Sequence, residues 1–574
     1  MSVPDQRPDA AADRSLITTP ARSLTSVLPV LSWLPSYRWR RDLVPDVVAG
    51  LALAALLIPE SMGYAGVAGV PAEVGLYAAL GAVIAYAVTG GTSILVVGPA
   101  SAVAALSASI VADFGGDADP LVLTAGLALA SGVLLMVAGA LRLGWIVNFI
   151  SRPVLHAFVA GLSISIIIGQ LDGLLGLEVE GESALATLFD VVRHLGDAHG
   201  LSALIGIGAV VVILGFERFV PSVPAALVVV AVGIGAVIAF DLAAEGVEIV
   251  GDIPQGLPEV GIPDLGVTRW LELFAGAFAL LFVGYSEGYA AATAVADETG
   301  ESIDPDQELI ASGAANVGAG VLGGLAVSGS LSKSAASQAA GARTQVANLT
   351  GGILVLATLL FLAPVFEELP EPVLAAVVIV AVLRSANPRS LISLWLVNRL
   401  DFIAGLTTFV LVIVWETLPA MVVGVLLSLA FVVRRASFPD VTELAADDRG
   451  VFRRTSDGAV PDDRVSVVRF EGPLIYASAS RLGAAVHTLI ERRADTDRIV
   501  VDAEMMSDLD ITGAEALMKL DDELADRGVE LHLARVHHRM AEQLRRSLLA
   551  ERFEGRIHAR LADATRADES PGEG

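Results

Sequence analysis

The chain has 574 residues, of which 54% are hydrophobic, and a mean hydropathy of +0.67; both exceed the roughly 45–50% apolar share of ordinary soluble domains. A net charge of −27 and a pI near 4.6 argue against nucleic acid as a partner, because phosphate binding needs a basic surface. With no cysteine, disulfides, thiol catalysis and cysteine metal sites are excluded together.

Residues 1–43 are polar, with Pro, Arg and Asp, and read as a flexible cytoplasmic arm without a cleavable signal peptide. From Val44 the sequence turns into apolar runs long enough to span lipid, about 20 residues each. Fourteen such segments are expected, near 44–65, 72–90, 97–113, 119–141, 145–172, 201–217, 222–241, 271–296, 308–325, 329–340, 346–364, 370–386, 401–417 and 418–434. Those at 97–113 and 329–340 are short and interrupted by Gly, Pro and Ser, which suits half-helices better than full spans. The expected organisation is an arm at 1–43, a membrane domain at 44–436, a linker at 437–464, a small α/β domain at 465–565 and a disordered tail at 566–574.

Basic residues fix the expected orientation. Arg38, Arg40 and Arg41, Arg142 and Arg152, Arg218, Arg343, Arg384, Arg389 and Arg399, and Arg434 and Arg435 fall on one side. The loops at 241–265 and 366–372 on the other side hold acids and no Lys or Arg. The acidic loop 297–308 departs from this rule. Both termini are therefore expected in the cytoplasm.

The sequence also repeats itself. "SMGYA" at 61–65 is matched by "SEGYA" at 286–290, and "GPASA" at 98–102 by "GSLSK" at 329–333. The offsets, 225 and 231 residues, are nearly equal. Seven segments separate the copies, so an odd count inverts one copy in the membrane. Inverted repeats with broken helices meeting near the midplane build the substrate sites of many secondary transporters.

Short helices beginning at "GPAS" and "SLSK" would aim free N–H groups and positive dipole ends at the midplane, where they attract anions. Ser101, Ser328, Ser330 and Ser332 add hydroxyl donors and Lys333 adds full charge. A buried lysine needs a counter-charge, from a bound anion, Glu60 or Glu287; the alternative is a side chain that reaches from a helix end toward the cytoplasm. Glu60 follows Pro59 within a span, and Glu287 lies on the repeat-related helix. Desolvation disfavours the charged form of a carboxylate at membrane depth, which makes both candidates for carrying protons. Against that stand a fixed salt bridge from Glu287 to Lys333 and an outward-leaning Glu60. Tyr64 and Tyr285 flank the two acids and either line the site or pack.

These residues carry a resemblance. "LPSYRWRRDLVPDVVAGLALAALLIPESMGYAGVAGVPAEVGLYAAL" (34–80), "VGPASAVAAL" (97–106), "IDPDQELIASGAANVGAG" (303–320) and "SGSLSKSAASQAAGARTQ" (328–345) resemble, in order, the signatures of the SulP sulfate permease family, or solute carrier family 26. The resemblance implies a polytopic α-helical fold of about fourteen segments in a 7+7 inverted repeat with core and gate domains, and a cytoplasmic STAS domain. It implies an anion site between the starts of the third and tenth segments, with Ala100 and Ser101 facing Ser330, Leu331, Ser332 and Lys333. It also implies a homodimer in the plasma membrane. Two departures stand out: many members have Arg where this chain has Lys333, and Gln where it has Glu60. Glu287 matches the acidic position associated with proton coupling. No Asp is displaced along this helix as in sodium-coupled relatives, although Ser286 and Thr293 remain able to contact an ion.

The tail alternates strands "VSVVRF", "RIVVDA" and "VELHLA" with amphipathic helical periods, a small α/β layer. It resembles a STAS domain, with "DLDITGAEAL" (508–517) as its strand-to-helix turn. Thr512 holds the position phosphorylated in anti-sigma-factor antagonists, which makes it a candidate phosphosite that a regulatory partner would read. The alternative is a fold signature, with Asp510 as a helix cap. His487, His537 and His538 fit no usual zinc spacing and read as solvated surface.

The leading expectation is secondary active uptake of a small inorganic oxyanion, sulfate first, by proton symport. Bicarbonate or C4-dicarboxylate symport and an exchanger or channel are alternatives, as is a membrane sensor acting on the STAS domain. No Walker loop, metal set or nucleophile–base pair points to an enzyme, and no cofactor is expected.

Overall fold

The computed structural model describes residues 28–566 except 116–117, 146–150, 180, 182, 221–223, 257–259, 384–385, 387–394, 396–397, 416, 448, 458–461, 494 and 548. Most of the expected arm, the tail from 567, and Arg384 and Arg389 therefore lie outside the described residues. The chain divides into two units, ending and beginning at Ser428 and Leu429.

The first unit is helical. In order it runs α1 (Trp39–Val67), α2 (Ala72–Thr89), strand β1 (Val96–Gly98), α3 (Ser101–Gly115), α4 (Pro120–Ala140), α5 (Arg152–Gly169), α6 (Gly200–Phe219) and α7 (Ala225–Phe240). The second half repeats that order: α8 (Val267–Thr299), α9 (Pro305–Val321), strand β2 (Ser328–Ser330), α10 (Leu331–Ala339), α11 (Val346–Ala357), α12 (Glu371–Leu383), α13 (Arg399–Val414) and α14 (Thr417–Ser437). Eight helices among the described residues are long and apolar enough to cross a membrane, and α3, α7 and α12 are shorter apolar ones. The first helix begins at Trp39, within the expected arm, after a helical turn at Val30–Trp33. An amphipathic helix at Ala184–His194, with Phe189 and Val192 exposed, was not expected from the apolar runs, because it is too short to span.

Helices close to van der Waals limits hold this unit. A Cβ on Gly81 of α2 would lie 2.2 Å from the Gly318 carbonyl of α9, and one on Gly75 only 1.8 Å from the Ser61 carbonyl of α1. In lipid, where burying apolar surface between helices gains little, such small-residue crossings supply the packing.

The second unit is an α/β layer with a six-stranded sheet in the order β4–β3–β5–β6–β7–β8. Its strands are β3 (Asp440–Ala446), β4 (Phe452–Arg454), β5 (Val465–Glu471), β6 (Arg498–Asp502), β7 (Glu530–Ala534) and β8 (Ile557–His558). Strands β5 to β8 are parallel, and the helices α15 (Ala479–Arg492) and α16 (Ile511–Ala525) lie in the crossover connections that parallel neighbours require. The stretch expected as a linker contributes β3 and β4, which pair antiparallel beside β5. Leu444 explains this, since it is buried with Val467 and Val500 on one face of the sheet.

A buried carboxylate ties the far end of the unit together. Asp521 of α16 accepts from Arg556 Nη1 at 2.7 Å and from Arg552 Nε at 2.6 Å. Burial pushes its carboxyl up, but the hydrogen bonds from Arg556 and Arg552 outweigh this and hold it below the usual carboxylate value. A lowered folded value contributes stability that is present above the unfolded value, about 3.9, and is lost as pH falls through the folded one. Amide exchange across residues 511–556 should therefore stay slow down to about pH 4 and accelerate below it, whereas Asp521→Asn should exchange faster throughout and show no step in that window.

Candidate functional site

The two half-helices meet where the chain is extended. Strands β1 and β2 pair antiparallel, with Val96 opposite Ser330, Val97 opposite Gly329 and Gly98 opposite Ser328. Helix α3 starts three residues after Gly98 and α10 directly after Ser330, so the pairing brings the two helix N-termini to one place. Buried backbone inside a membrane must find partners within the protein. Here amide side chains complete the task. Asn316 of α9 donates to Val327 O at 2.9 Å and accepts from Val327 N at 2.9 Å, just before β2. Gln345 and Asn348 of α11 donate to Leu95 O at 3.2 and 2.7 Å, just before β1.

Lys333 joins the two starts. Its Nζ donates to Pro99 O at 2.8 Å, one residue before Ala100, and lies 2.9 Å from Glu60 Oε2 of α1. It also sits over the Tyr64 ring, 5.1 Å from the centroid, and the residue is 1% exposed. The carboxylate in the close ion pair is thus Glu60, and the side chain runs inward instead of reaching for an interface.

Several expected residues are brought together around this lysine. Ser101 opens α3, and Ala100 accepts the first helical bond, from Ala104 N at 2.9 Å. Ser330 caps α10, its Oγ accepting from Lys333 N at 3.4 Å and lying 3.2 Å from Ser332 Oγ. Leu331 is exposed and presents the backbone of the first turn. Each helix start leaves N–H groups without helical partners and a positive dipole end.

Other expected residues serve different ends. Ser328 donates its hydroxyl to Gly284 O of α8 at 2.7 Å, which ties β2 to that helix. A Cβ on Gly329 would lie 3.0 Å from Gly288 Cα, so the backbones touch on either side of Glu287. Glu287 is drawn to the strand crossing by these contacts, and its Oε2 is buried without a hydrogen-bond partner. Ser286 Oγ is likewise buried and unpartnered, whereas Thr293 donates to Tyr289 O. Tyr285 is not brought to Lys333: its hydroxyl donates to Pro305 O at 2.7 Å, and its ring packs with Leu135, Leu281 and Leu309. Thr512 belongs to the second unit, exposed in the first turn of α16, where Asp510 caps the helix by accepting from Gly513 N at 2.7 Å.

A cavity of about 620 Å³ reaches this cluster. Ala52, Leu56 and Glu60 line it from α1 at four-residue steps, Ser332 and Ala336 line it from α10, and Glu217 from α6. Helices α7 and α12 close the other wall with small and branched side chains.

Sequence reasoning missed two contributors, Pro99 and Ser334. The role of Pro99 lies in its carbonyl, which no side-chain pattern reveals. Ser334 lay within the stretch that stood out, yet nothing marked it among so many hydroxyls. Its Oγ donates to Ser330 O at 2.6 Å and accepts from Val96 N at 2.9 Å, cross-linking both strands. Ser334→Ala leaves a buried N–H and carbonyl unpaired and should cost about 1–3 kcal/mol, read as a lower thermal unfolding midpoint in detergent.

A model described as the sulfate permease family matches residues 43–408, and one for the STAS domain matches 459–564. A probable sulfate transporter of Mycobacterium tuberculosis (strain CDC 1551 / Oshkosh) is 31% identical over 537 residues, 92% of this chain and 95% of its own. Probable sulfate transporter 4.2 of Arabidopsis thaliana is 28% identical over 550 residues, 92% of this chain and 81% of its own. The fold is similar to that of the murine solute carrier 26 family member A9 anion transporter in the inward-facing state, with a TM-score of 0.88 at 23% identity, covering 96% and 95% of the two chains. It is also similar to the transmembrane domain of a cyanobacterium bicarbonate transporter, BicA, with a TM-score of 0.58 at 22% identity, covering 68% and 97%.

Proposed function

Because this chain belongs to the sulfate permease family and ends in a STAS domain, we propose that it is a secondary active transporter of a small inorganic oxyanion, sulfate first, coupled to protons. The observation that carries this reading is the pair of helix N-termini, α3 and α10, held face to face by β1 and β2 with Lys333 between them. An oxyanion placed there meets free N–H groups, hydroxyls of Ser101, Ser330 and Ser332, and a cation. The relatives named as probable sulfate transporters support the choice of sulfate.

The cavity supplies the route. It is lined at the end of α6 by Glu217 and just before α7 by Pro224, the same side as Arg218 and the start of α1. With the basic loops inside, that side is the cytoplasm, and the site opens inward. The protein is placed in the plasma membrane as a homodimer with both termini cytoplasmic. The proposed domains are an arm at 1–43, a membrane domain at 44–436 and a STAS domain at 465–565 to which β3 and β4 are added. Thr512, exposed beside the Asp510 cap, is its candidate contact for a regulatory partner.

Glu287 is assigned the coupling proton. Its buried, unpartnered oxygen stands beside the strand crossing, where a proton neutralises a charge that would otherwise oppose the anion. Labelled sulfate should accumulate in proteoliposomes under an inward proton gradient, and Glu287→Gln should abolish the gradient-driven part; accumulation that persists in this variant would make Glu287 structural. Lys333→Ala removes a charged donor, a loss of about 1.5–3 kcal/mol, and should raise the half-saturation concentration by about tenfold or more in the same uptake assay.

A further inference from the structure

Lys333 is already satisfied without a substrate. Its Nζ donates to Pro99 O at 2.8 Å, is ion-paired with Glu60 Oε2 at 2.9 Å without a hydrogen bond between them, and lies over the Tyr64 ring. At 1% exposure, the cation has no further surface to offer an incoming oxyanion. The carboxylate that occupies it is not buried behind the site. Glu60 lines the cavity together with Ser332, so it stands between the solvent route and the cation.

We propose that Glu60 is a tethered rival of the transported anion, holding Lys333 until a proton and an anion arrive together. This rests on reading the α3–α10 junction as the anion site. An anion that comes up the cavity to Ser332 first meets the negative charge of Glu60. To reach Lys333 it has to displace that carboxylate. Displacement of an ionised Glu60 would leave two like charges sharing one cation, with Glu287 of α8 and Glu217 of α6 as further acids around the path. When Glu60 takes a proton from the cavity water, its carboxylate becomes a neutral acid, the ion pair is dissolved, and Lys333 is released to the anion. Tyr64, the remaining titratable neighbour, offers a ring face to the ammonium and no charge.

The backbone assists this exchange. Pro59, directly before Glu60, has no N–H to give to the carbonyl one turn earlier, so α1 is loosened where the carboxylate must move. The consequence is linkage: proton binding and anion binding favour each other by the same factor. Affinity for the anion should therefore fall as pH rises. This is a selection step at the lysine, separate from the coupling step assigned to Glu287.

The test is equilibrium binding of labelled sulfate to the purified full-length protein between pH 5.5 and 8.5, for wild type, Glu60→Gln and Glu287→Gln. The expected result is that Glu60→Gln binds sulfate at least about tenfold more tightly than wild type at pH 8, and with a shallower dependence on pH. Glu287→Gln removes the other acid's share of the slope and should keep the part that Glu60 supplies, so that the slope disappears only when Glu60→Gln is added. Wild type alone gives a second readout that needs no variant: adding sulfate in weak buffer at pH 7.5 should draw protons from solution, seen with an indicator dye. Wild-type binding with no proton uptake, or a pH slope that survives intact in Glu60→Gln, overturns this inference and leaves the anion site standing. Wild type that binds neither sulfate nor, by competition, bicarbonate or fumarate at any pH overturns both.

Discussion

A chain that breaks its helices inside a membrane must pair the backbone it frees, and the rest of the membrane unit is arranged around that requirement. Three residues of β1 and three of β2 meet this need for each other. What they leave over is taken by amide side chains, Asn316 on one strand's approach and Gln345 with Asn348 on the other. Ser334 then bonds both strands at once. The half-helices inherit their position from this pairing, and with it the direction of their dipoles. Lys333, which reaches from the start of one half-helix to the residue before the other, is the side-chain counterpart of the same joint.

The electrostatics follow from that joint. Two helix N-termini and a lysine in one buried place would be an uncompensated positive region, and Glu60 compensates it at 2.9 Å. Both carboxylates have a buried oxygen without a hydrogen bond, and the 2.9 Å ion pair to Lys333 is made by Glu60. Two acids that looked alike as sequence, one just before the string at 61–65 and the other inside its copy at 286–290, therefore have different circumstances. The repeat supplies the frame, and the residues that differ between its copies make the two halves chemically unequal.

Much of this was legible before any coordinates. Apolar length fixes where helices can span, and the interruptions at 97–113 and 329–340 correspond to β1 with α3 and to β2 with α10. The cluster of Lys333 with Ser330, Ser332 and Ser101 was readable because hydroxyls and a cation are conspicuous among Ala and Val. Other features left no such trace. Which carboxylate pairs with Lys333 depends on helix rotation, and nothing in the strings at 61–65 and 286–290 encodes it. Tyr285 is turned toward Pro305 O for the same kind of reason. Strands β3 and β4 were missed because short, half-exposed strands interleaved with Asp and Arg have too little apolar alternation to stand out from a linker.

The sheet of the second unit ends, at both sides, in very little strand. β4 offers three residues, two of them arginines, and β8 offers two. An open sheet edge is a template on which another chain can continue the ladder, and short or charged edges blunt it. Truncated borders, one of them bearing two arginines, keep copies of this α/β unit from zipping edge to edge into one continuous sheet, so that any association between them has to use another face.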